Sequence, residues 1–525
     1  MGKTVFVSAG WPYLYEVPGL HNCIPMLWAD VLARYRRLRG DDVAFVCGSD
    51  EHGSRVEFIA EANGRDPQAL VDQKFAETLP LLRRLGLSLD VFGRTSDPAH
   101  ERFVRVFLDR LVKRGAAERR TLHIPYCAAC KKHLPDRFTE GTCPECAGPA
   151  FGNQCNNKRG CAAILDPFDL VDGRCAVCAG RFEARDREHL VLPLDPLRDA
   201  LERHIGESYE TAPAVRARAL ATLAATREVV LTRDSAWGIP VATDLPGRTV
   251  YSWVDSLLGK LSTLESLRTR RTVWHEAGAE KLFFMGVDGV GFYAVLLPAL
   301  LLAADDGYAL DGFRIATNDV LIYEGGVCSK SSRNGIWLPE ALALLPADEW
   351  RFAIFHAEAE AASSGAVPGN ADLDFRWDKF ARDANEQLGV IARLFQGIAG
   401  TDPVPEADPP EAAAIGQALD RLAPGRAFGL LMSALRVAEA RPRLAAALLP
   451  VLACFLPHAA ARAGDLLGGR AVGPLFPELP LDGAALKRTY SEASSRRRAH
   501  LDLQAEMADL RADALCVCPA RLEET

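Results

Sequence analysis

The chain has 525 residues, which is more than one hydrophobic core usually serves, so two to four domains are expected. Its 49% hydrophobic and 25% charged residues are typical of a soluble globular protein. The net charge of −8 provides no overall cationic surface for nucleic acid. The amino terminus runs directly into a strand-like segment, and the longest apolar run, 294–304, is too short to cross a bilayer. We therefore expect a cytoplasmic protein with no membrane partner.

Predicted strands and helices alternate at the start of the chain. Thr4–Ala9 is typical of a strand, and a loop rich in proline and glycine follows. Ile24–Leu38 has apolar residues at helical spacing, with Pro25 suited to its first turn. Asp42–Cys47 is the next buried strand. This strand, loop, helix and strand predict a Rossmann-type unit whose ligand binds beyond the carboxyl ends of the strands.

The α/β pattern is interrupted once and then gives way to helices. Residues 116–205 break the alternation. It resumes with a predicted strand at Lys281–Met285, an apolar helix at Gly289–Leu302 and a strand at Phe313–Thr317. From about residue 350 onward the pattern is almost wholly helical. The sequence therefore predicts an α/β domain with an insertion, followed by an all-α domain.

The insertion contains cysteines in pairs. In a large chain without an export signal, paired cysteines indicate metal rather than disulfides. Four pairs of thiols supply the ligands of two tetrahedral Zn²⁺ sites, and four-thiolate sites are structural because no coordination position stays open. The alternative is a set of scattered buried cysteines, and the five residues inside the third pair make that pair less regular. The eight cysteines are Cys127, Cys130, Cys143, Cys146, Cys155, Cys161, Cys175 and Cys178.

Several motifs together resemble the methionyl-tRNA synthetases, a family of class I aminoacyl-tRNA synthetases. Val17–Asn22 lies where the family has its first ATP signature, Gly48–Gly53 ends in the family's Asp-Glu-His-Gly, and Gly473–Pro477 fits the end of the family's core. The cysteine insertion is the best single argument for the methionyl type. The resemblance covers about nine-tenths of the chain. It implies a Rossmann-type class I catalytic domain with a zinc-knuckle insertion, followed by an all-α anticodon-binding-like helical bundle.

The resemblance also implies details of the metal sites and of the domains. Because the knuckles of the family interleave, we expect Cys127 and Cys130 to share an ion with Cys175 and Cys178, and the other four cysteines to share the second. The expected divisions are a first catalytic half (1–115), the zinc insertion (116–205), a second catalytic half (206–315), a linker domain with a degenerate second signature (316–368), the helical domain (369–482) and a helical tail (483–525).

Members of this family activate an amino acid with Mg²⁺ and ATP, and then pass the acyl group to tRNA. Such a reaction needs positioning and cationic stabilisation rather than a protein nucleophile. Asp50 matches the residue that anchors the substrate ammonium, and Asp288, next to Gly286, matches the residue that binds the ATP ribose. Arg233 matches a basic residue near the site, and Trp253 belongs to a retained Tyr-x-Trp-x-Asp pattern. These residues predict a retained cleft for an amino acid and ATP.

Both ATP signatures depart from the family pattern. In the first signature segment (Gly19–Asn22), the family histidine is Gly19 and the family glycine is His21. In the second signature (Val327–Ser331), the first lysine is missing. Losing one preorganised stabiliser typically costs about 10²–10³ in rate, so slow or redirected chemistry is expected. The predicted ATP-binding residues are Gly19, Asn22, Gly286, Asp288, Ser329, Lys330 and Ser331, and the predicted catalytic residues are His21, Lys330 and Arg233.

The predicted amino-acid pocket also differs from the family. A pocket for methionine depends on apolar shape, whereas this chain places Lys260 at the pocket's edge. A buried lysine is costly unless it is paired, so it indicates a carboxylate-bearing or otherwise polar substrate. The alternative is an ammonium that reaches solvent. The predicted substrate-binding residues are Trp11, Tyr13, Asp50, Trp253, Ser256, Lys260, Gly289 and Tyr293.

The helical domain lacks a clear anticodon reader. Family members have an Asn-x-x-x-Arg pattern on its first helix, and the corresponding run from Asn385 to Arg393 does not reproduce it. Together with the acidic net charge, this makes tRNA a less expected partner.

The leading hypothesis from the sequence is a divergent ligase that forms an aminoacyl-adenylate. Its acceptor would be a small molecule or carrier, for example an N-hydroxylated amine in a biosynthetic pathway with a cupin partner. One alternative is an authentic methionine–tRNA ligase. Another is a non-catalytic regulatory paralogue whose ATP site has decayed.

Overall fold

The structure is a computed structural model. The residues it describes are 2–135, 138–152, 154–155, 161, 165–210, 212–241, 245–267, 271–328, 334–365, 371–400, 405–407 and 409–497.

The centre of the molecule is a parallel sheet of five strands. The strands that were predicted form as expected, with ends that differ by at most two residues, because their residues are apolar and buried on both faces of the sheet. In spatial order the strands are β15 (Phe313–Thr317), β14 (Glu280–Met285), β1 (Thr4–Ala9), β2 (Asp42–Ser49) and β3 (Val91–Arg94). The carboxyl ends of β1, β2 and β14 therefore open onto one edge.

The first helix, α1 (Leu20–Leu38), begins four residues earlier than predicted. Gly19 is its extended N-cap, and its N–H donates to the Asn22 side chain at 3.1 Å. Pro25 consequently lies inside the helix rather than in its first turn, where it removes one backbone hydrogen bond to the carbonyl of His21. The early start places His21 in the first helical turn.

Further helices belong to the same part of the chain, and most of them pack around the sheet. They are α2 (Ser54–Ala62), α3 (Pro67–Arg84), α4 (Pro98–Lys113), α5 (Arg198–Ser208), α6 (Pro213–Ala225) and α7 (Ser252–Glu265).

The apolar helix predicted at Gly289–Leu302 is not one regular helix. A 3₁₀ turn (Val287–Gly289), a π-helical turn (Phe292–Leu296) and α8 (Leu297–Ala304) follow one another. Among the described residues, Val287–Ala304 is the one segment long and apolar enough to span a bilayer, although 67% of it is buried inside the protein. Its apolar side chains pack in the core around the central sheet, as the core helix of a folded domain does.

The strands of the insertion lie in two antiparallel sheets. The first contains β11 (Glu228–Val230), β10 (Glu183–Pro193), β4 (Glu118–Cys127) and β5 (Lys132–His133). The second contains β8 (Gln154–Cys155), β7 (Pro149–Phe151), β6 (Thr139–Thr142) and β9 (Val171–Cys175). A separate pair, β12 (Thr232–Arg233) and β13 (Thr249–Val250), leads back to the catalytic half.

The carboxyl-terminal part is mainly helical, with one small sheet. That sheet contains β17 (Gly326–Val327), β16 (Val320–Tyr323) and β18 (Asp372–Phe375). The helices are α9 (Leu338–Leu344), α10 (Ala347–Ser363), α11 (Trp377–Gly397), α12 (Pro410–Asp420), α13 (Pro424–Ala438), α14 (Pro442–Phe455) and α15 (Pro457–Leu467), and residues 483–497 are also helical.

A buried ion pair ties the helical bundle to the catalytic domain. The fully buried Arg351 on α10 donates to Asp30 on α1 at 2.8 Å and to the carbonyl of Phe455 at 2.5 Å. Burial raises the pKa of Asp30, but Arg351 and Arg34 outweigh it and hold that pKa below its ordinary value. The pair fixes how α1, which carries His21, sits against the bundle.

Candidate functional site

The predicted site residues gather where β1, β2 and β14 end. The loop after β1 runs beside the end of β2, because the Asp50 N–H donates to the Pro12 carbonyl and the Leu14 N–H donates to the Asp50 carbonyl, both at 3.0 Å. Tyr13 and Asp50 form an isolated parallel bridge. Residues predicted to line a cleft beyond the carboxyl ends of the strands thus lie close together.

Asp50 presents a buried carboxylate to this cleft. The residue is 2% exposed, and among the described residues its Oδ1 has no hydrogen-bond partner. Burial and the neighbouring charge of Asp255 raise the pKa of Asp50 well above its ordinary value. A buried acceptor left without a donor is destabilising, so this oxygen is suited to accept from the ammonium of an amino acid.

Asp255 lies behind Asp50 and is held by two histidines. Its Oδ2 contacts His52 Nδ1 at 2.7 Å, and its Oδ1 makes a short contact with His100 Nε2. Burial opposes ionisation of Asp255, but His52 and His100 outweigh it and lower its pKa. In turn, burial lowers the pKa of His52, but Asp255 outweighs it and raises that pKa. The network keeps Asp255 charged near Asp50, and a cationic ligand bound at Asp50 would favour the charged form of that carboxyl group.

Tyr13 and Trp253 contact each other in the predicted amino-acid pocket. Trp253 Nε1 donates to the Tyr13 hydroxyl, and the Trp253 ring meets Phe292 edge-on with 3.8 Å between ring centres. Ser256 lies one turn further along α7 and is partly exposed. These aromatic contacts fix the orientation of two predicted substrate-binding residues.

Lys260 is fully buried, so the alternative of an ammonium reaching solvent is wrong. Its Nζ donates to the Ser256 carbonyl at 2.7 Å and lies 4.3 Å from the centre of the Trp11 ring and 5.3 Å from that of Tyr293. Burial lowers the pKa of Lys260 to about 7, even though Cys47 and Asp50 oppose the shift. A cation enclosed by two aromatic rings is the main feature of this pocket.

Two glycines make room for Trp11. A Cβ on Gly259 would lie 2.5 Å from the Trp11 ring, and a Cβ on Gly48 would lie 2.7 Å from it. The indole therefore fills the space between β2 and α7. Gly289 is packed similarly, because a Cβ added at this position would lie 3.0 Å from the sulfur of Met285.

The His21 ring lies beside the backbone of Gly19 and Gly335. A Cβ on Gly19 would lie 2.7 Å from the His21 ring, and a Cβ on Gly335 would lie 3.4 Å from it. The same ring meets Trp337 edge-on at 6.2 Å between centres. The exchange of histidine and glycine is therefore structurally matched, since Gly19 leaves the room that the His21 ring takes. The Asn22 side chain accepts a hydrogen bond from the Gly19 N–H at the start of α1, so Asn22 has at least this structural role.

Two of the remaining residues predicted for the ATP site, Asp288 and Arg233, belong to the described part of the chain. The Asp288 carboxylate lies directly over Gly286, where a Cβ would come within 2.6 Å of its Oδ1. Arg233 stacks on the ring of Tyr251, with 3.6 Å between the guanidinium carbon and the ring centre. Ser329, Lys330 and Ser331 lie outside the described residues, and their predicted roles stay predictions.

The eight cysteines form two clusters with the expected partners. Cys127, Cys130, Cys175 and Cys178 form one, and in each cluster all four sulfurs lie within 4.8 Å of one another. The short sulfur–sulfur distances, 3.5 to 3.9 Å, are close to the roughly 3.8 Å edge of a Zn²⁺ tetrahedron with bonds of about 2.3 Å. They are too long for disulfides. The second cluster consists of Cys143, Cys146, Cys155 and Cys161. Both sets of donors thus fit zinc.

Comparison with known proteins identifies the family. Residues 5–393 match the model of the class I tRNA synthetases (M). The methionine–tRNA ligase of Thermofilum pendens is 36% identical over 418 residues, which cover 75% of this chain and 71% of that protein. The chain belongs to the methionyl-tRNA synthetase family.

Further comparisons agree with the family and the fold. The methionine–tRNA ligase of Aeropyrum pernix is 36% identical over 427 residues, which cover 77% of this chain and 72% of that protein. The crystal structure of Mycobacterium tuberculosis methionyl-tRNA synthetase with methionyl-adenylate matches with a TM-score of 0.66 and 19% identity, covering 89% of this chain and 94% of that one. The predicted class I fold is confirmed, and the chain is an ATP-dependent ligase of the adenylate-forming kind.

The helical bundle and the comparisons bear differently on tRNA recognition. Asn385 is not presented as a reader, because its side chain donates to the Leu481 carbonyl at 2.8 Å and accepts from the Leu481 N–H at 2.6 Å. Arg393 is exposed and folds back over Gly389. The homologues are nevertheless named as tRNA ligases, so the comparisons support tRNA as a partner more than the sequence analysis did.

Some residues of the site carried no usable sequence signal. His100 binds Asp255 from a helix remote in sequence, and no spacing rule connects the two positions. His52 was contained in the Asp-Glu-His-Gly segment, but its role behind Asp50 was not predicted. Cys47, whose pKa burial raises, also faces Lys260 and was counted only as a strand residue.

Proposed function

We propose that the protein activates an amino acid with Mg²⁺ and ATP as its aminoacyl-adenylate and transfers the acyl group to a tRNA. Methionine is the amino acid in the names of the relatives, so methionine–tRNA ligation fits the comparisons better than transfer to a small molecule or carrier. The free acceptor oxygen of Asp50 carries the proposal. It lies, buried, at the end of β2, where a substrate ammonium would supply the missing donor.

The resemblance to the family suggests the roles of the remaining groups. In this proposal Asp288 binds the ribose hydroxyls, while Arg233, His21 and Lys330 bind the phosphates. Trp11, Tyr13, Trp253 and Tyr293 enclose the amino acid. Zn²⁺ at the two cysteine clusters supports the insertion. The domain boundaries and the cytoplasmic location given above stay part of the proposal.

A second candidate is transfer of the same acyl group to an acceptor other than tRNA. Two observations favour it. The buried Lys260 makes the pocket unlike an apolar one, and Asn385 is engaged inside the bundle. A cupin partner and an N-hydroxylated amine acceptor belong to this candidate and stay predictions.

Aminoacylation of tRNA tests the proposal. The purified protein is incubated with ATP, bulk tRNA and each of the twenty amino acids in labelled form, and the label on tRNA is counted. Charging that is lost in Asp50→Asn supports the proposal, with methionine the first amino acid to examine. Formation of adenylate without charging of any tRNA would favour the second candidate.

A further inference from the structure

The last described helix, residues 483–497, reaches back to the ATP site. Asp482 caps it, because its Oδ1 accepts from the Ala484 N–H at 2.9 Å. At Gly483 the helix approaches α11 so closely that a Cβ would lie 2.6 Å from the Trp377 carbonyl oxygen. The helix therefore has a fixed starting point beside the small sheet of the linker.

The Tyr490 hydroxyl forms two hydrogen bonds with the segment that follows the second signature. The hydroxyl accepts from the Trp337 N–H at 2.7 Å and donates to the Gly335 carbonyl at 2.9 Å. The residue is 1% exposed, so water does not compete for these bonds. Gly335 and Trp337 also lie next to the His21 ring, since a Cβ on Gly335 would be 3.4 Å from it and the Trp337 ring centre is 6.2 Å from its centre.

Arg497, two turns further along, joins the chain on both sides of the site. It donates to Glu16 at 2.8 Å and to Glu340 at 3.2 Å. Its guanidinium also lies 5.5 Å from the centre of the Trp337 ring. Glu16 precedes the first signature segment, and Glu340 follows the second signature, so one cation connects the two.

The two segments are also joined directly through their backbones. The Leu20 N–H donates to the Ile336 carbonyl at 2.7 Å, and the Leu338 N–H donates to the Pro18 carbonyl at 3.2 Å. The Leu20 bond lies at the N-terminus of α1, where backbone amides favour phosphate. A displacement of about 1 Å in such a place is enough to slow a reaction that depends on positioning.

We propose that Tyr490 and Arg497 are positioning residues for ATP. They hold residues 335–338 against the first signature segment, so that the carboxyl-terminal helix is required for efficient adenylate formation. This inference rests on the proposed function, because it assumes that ATP binds in this cleft.

Two matched pairs of variants test the role. Tyr490→Phe removes only the hydroxyl, and Tyr323→Phe removes the hydroxyl of a buried tyrosine in the same aromatic cluster. Arg497→Ala removes the connecting cation, and Arg496→Ala removes an exposed neighbour on the same helix. In ATP–pyrophosphate exchange we expect Tyr490→Phe and Arg497→Ala to lower kcat/KM for ATP about tenfold, with the KM for the amino acid unchanged. The two controls should behave as the wild type.

Hydrogen exchange of the Leu20 amide gives a readout that needs no activity. In the unliganded protein it should speed up in Tyr490→Phe and not in Tyr323→Phe. Equal effects of Tyr490→Phe and Tyr323→Phe on both readouts, or parallel changes in the two KM values, would overturn the positioning role. A wild-type protein that shows no ATP–pyrophosphate exchange with any amino acid would contradict the proposed function. Hydrogen exchange of the Leu20 amide would then show separately whether the carboxyl-terminal helix holds residues 335–338 in place.

Discussion

The ammonium of Lys260 lies 4.3 Å from the centre of the Trp11 ring and is completely enclosed. Both residues belong to the predicted amino-acid pocket, so the pocket contains a cation whose state of protonation responds to pH near neutrality. Burial lowers the pKa of Lys260 to about 7.

Replacing Lys260 by methionine is expected to stabilise the protein at low pH more than at high pH. Below pH 7 the lysine is charged in both states, and the folded protein bears the full cost of burying the charge. Between pH 7 and the pKa of an exposed lysine, only the unfolded chain holds the proton, so the wild type gains stability as the pH rises. The gain from Lys260→Met should therefore be on the order of 1–3 kcal/mol at pH 6 and fade by pH 9.5.

Urea unfolding at the two pH values measures this difference, with Lys113→Met on the exposed face of α4 as the control. The same change in unfolding free energy at both pH values would show that Lys260 does not titrate in this range.

Gly259 and Trp11 should be energetically coupled. Gly259→Ala places a Cβ about where the Trp11 ring lies, and overpacking of this kind typically costs about 1–3 kcal/mol. Adding Trp11→Leu should recover most of the loss, and a double-mutant cycle by chemical unfolding measures the coupling. Gly397→Ala, where a Cβ meets nothing within 4 Å, is the control and should not destabilise. Simple additivity of the two substitutions would argue against this packing.

Restoring the family order of histidine and glycine in the first signature should be tolerated only when both residues are replaced together. Gly19→His alone forces a side chain into the His21 ring and is expected to lower the unfolding free energy by about 1–3 kcal/mol. The double variant Gly19→His with His21→Gly vacates that space and should unfold near the wild-type midpoint. Thermal and urea unfolding provide the measurement, and equal losses in the single and double variants would mean that His21 does not occupy this space in solution.

Each cysteine cluster should hold one Zn²⁺ ion. Elemental analysis of the purified protein is expected to find two ions per chain in the wild type and about one in Cys130→Ser or Cys146→Ser, since a four-thiolate site rarely survives loss of a ligand. Cys454→Ala, outside both clusters, should retain two. A wild-type protein that folds without zinc and gains no stability when zinc is added would contradict the structural role.

The sequence predicts the strands and helices of this molecule better than the side-chain contacts inside its pocket. Thr4–Ala9 and Phe313–Thr317 have the predicted bounds because apolar, β-branched runs in a parallel sheet carry a strong local signal. The start of α1 was missed because its cap, Gly19, offers no side chain to recognise. The irregularity of the predicted helix at Gly289–Leu302 was missed because its π-helical turn has the same apolar composition as a regular helix.

The surroundings of single site residues depend on contacts distant in sequence. Lys260 could be assigned to the pocket from its motif, but its burial depends on Trp11 and Tyr293, which come from separate elements. The pairing of His100 with Asp255 likewise arises only when α4 packs against α7. Local patterns contain neither relationship.

ATP–pyrophosphate exchange tests most directly whether this site forms aminoacyl-adenylates. The purified protein, its Asp50→Asn variant and an Asp372→Asn control on an exposed strand residue are assayed with methionine and with each other amino acid. We predict exchange that depends on an amino acid, is retained in the control and falls at least a hundredfold in Asp50→Asn, because the variant loses the charge that pairs with the ammonium. Exchange of equal rate in Asp50→Asn and wild type, or none with any amino acid, would contradict the account.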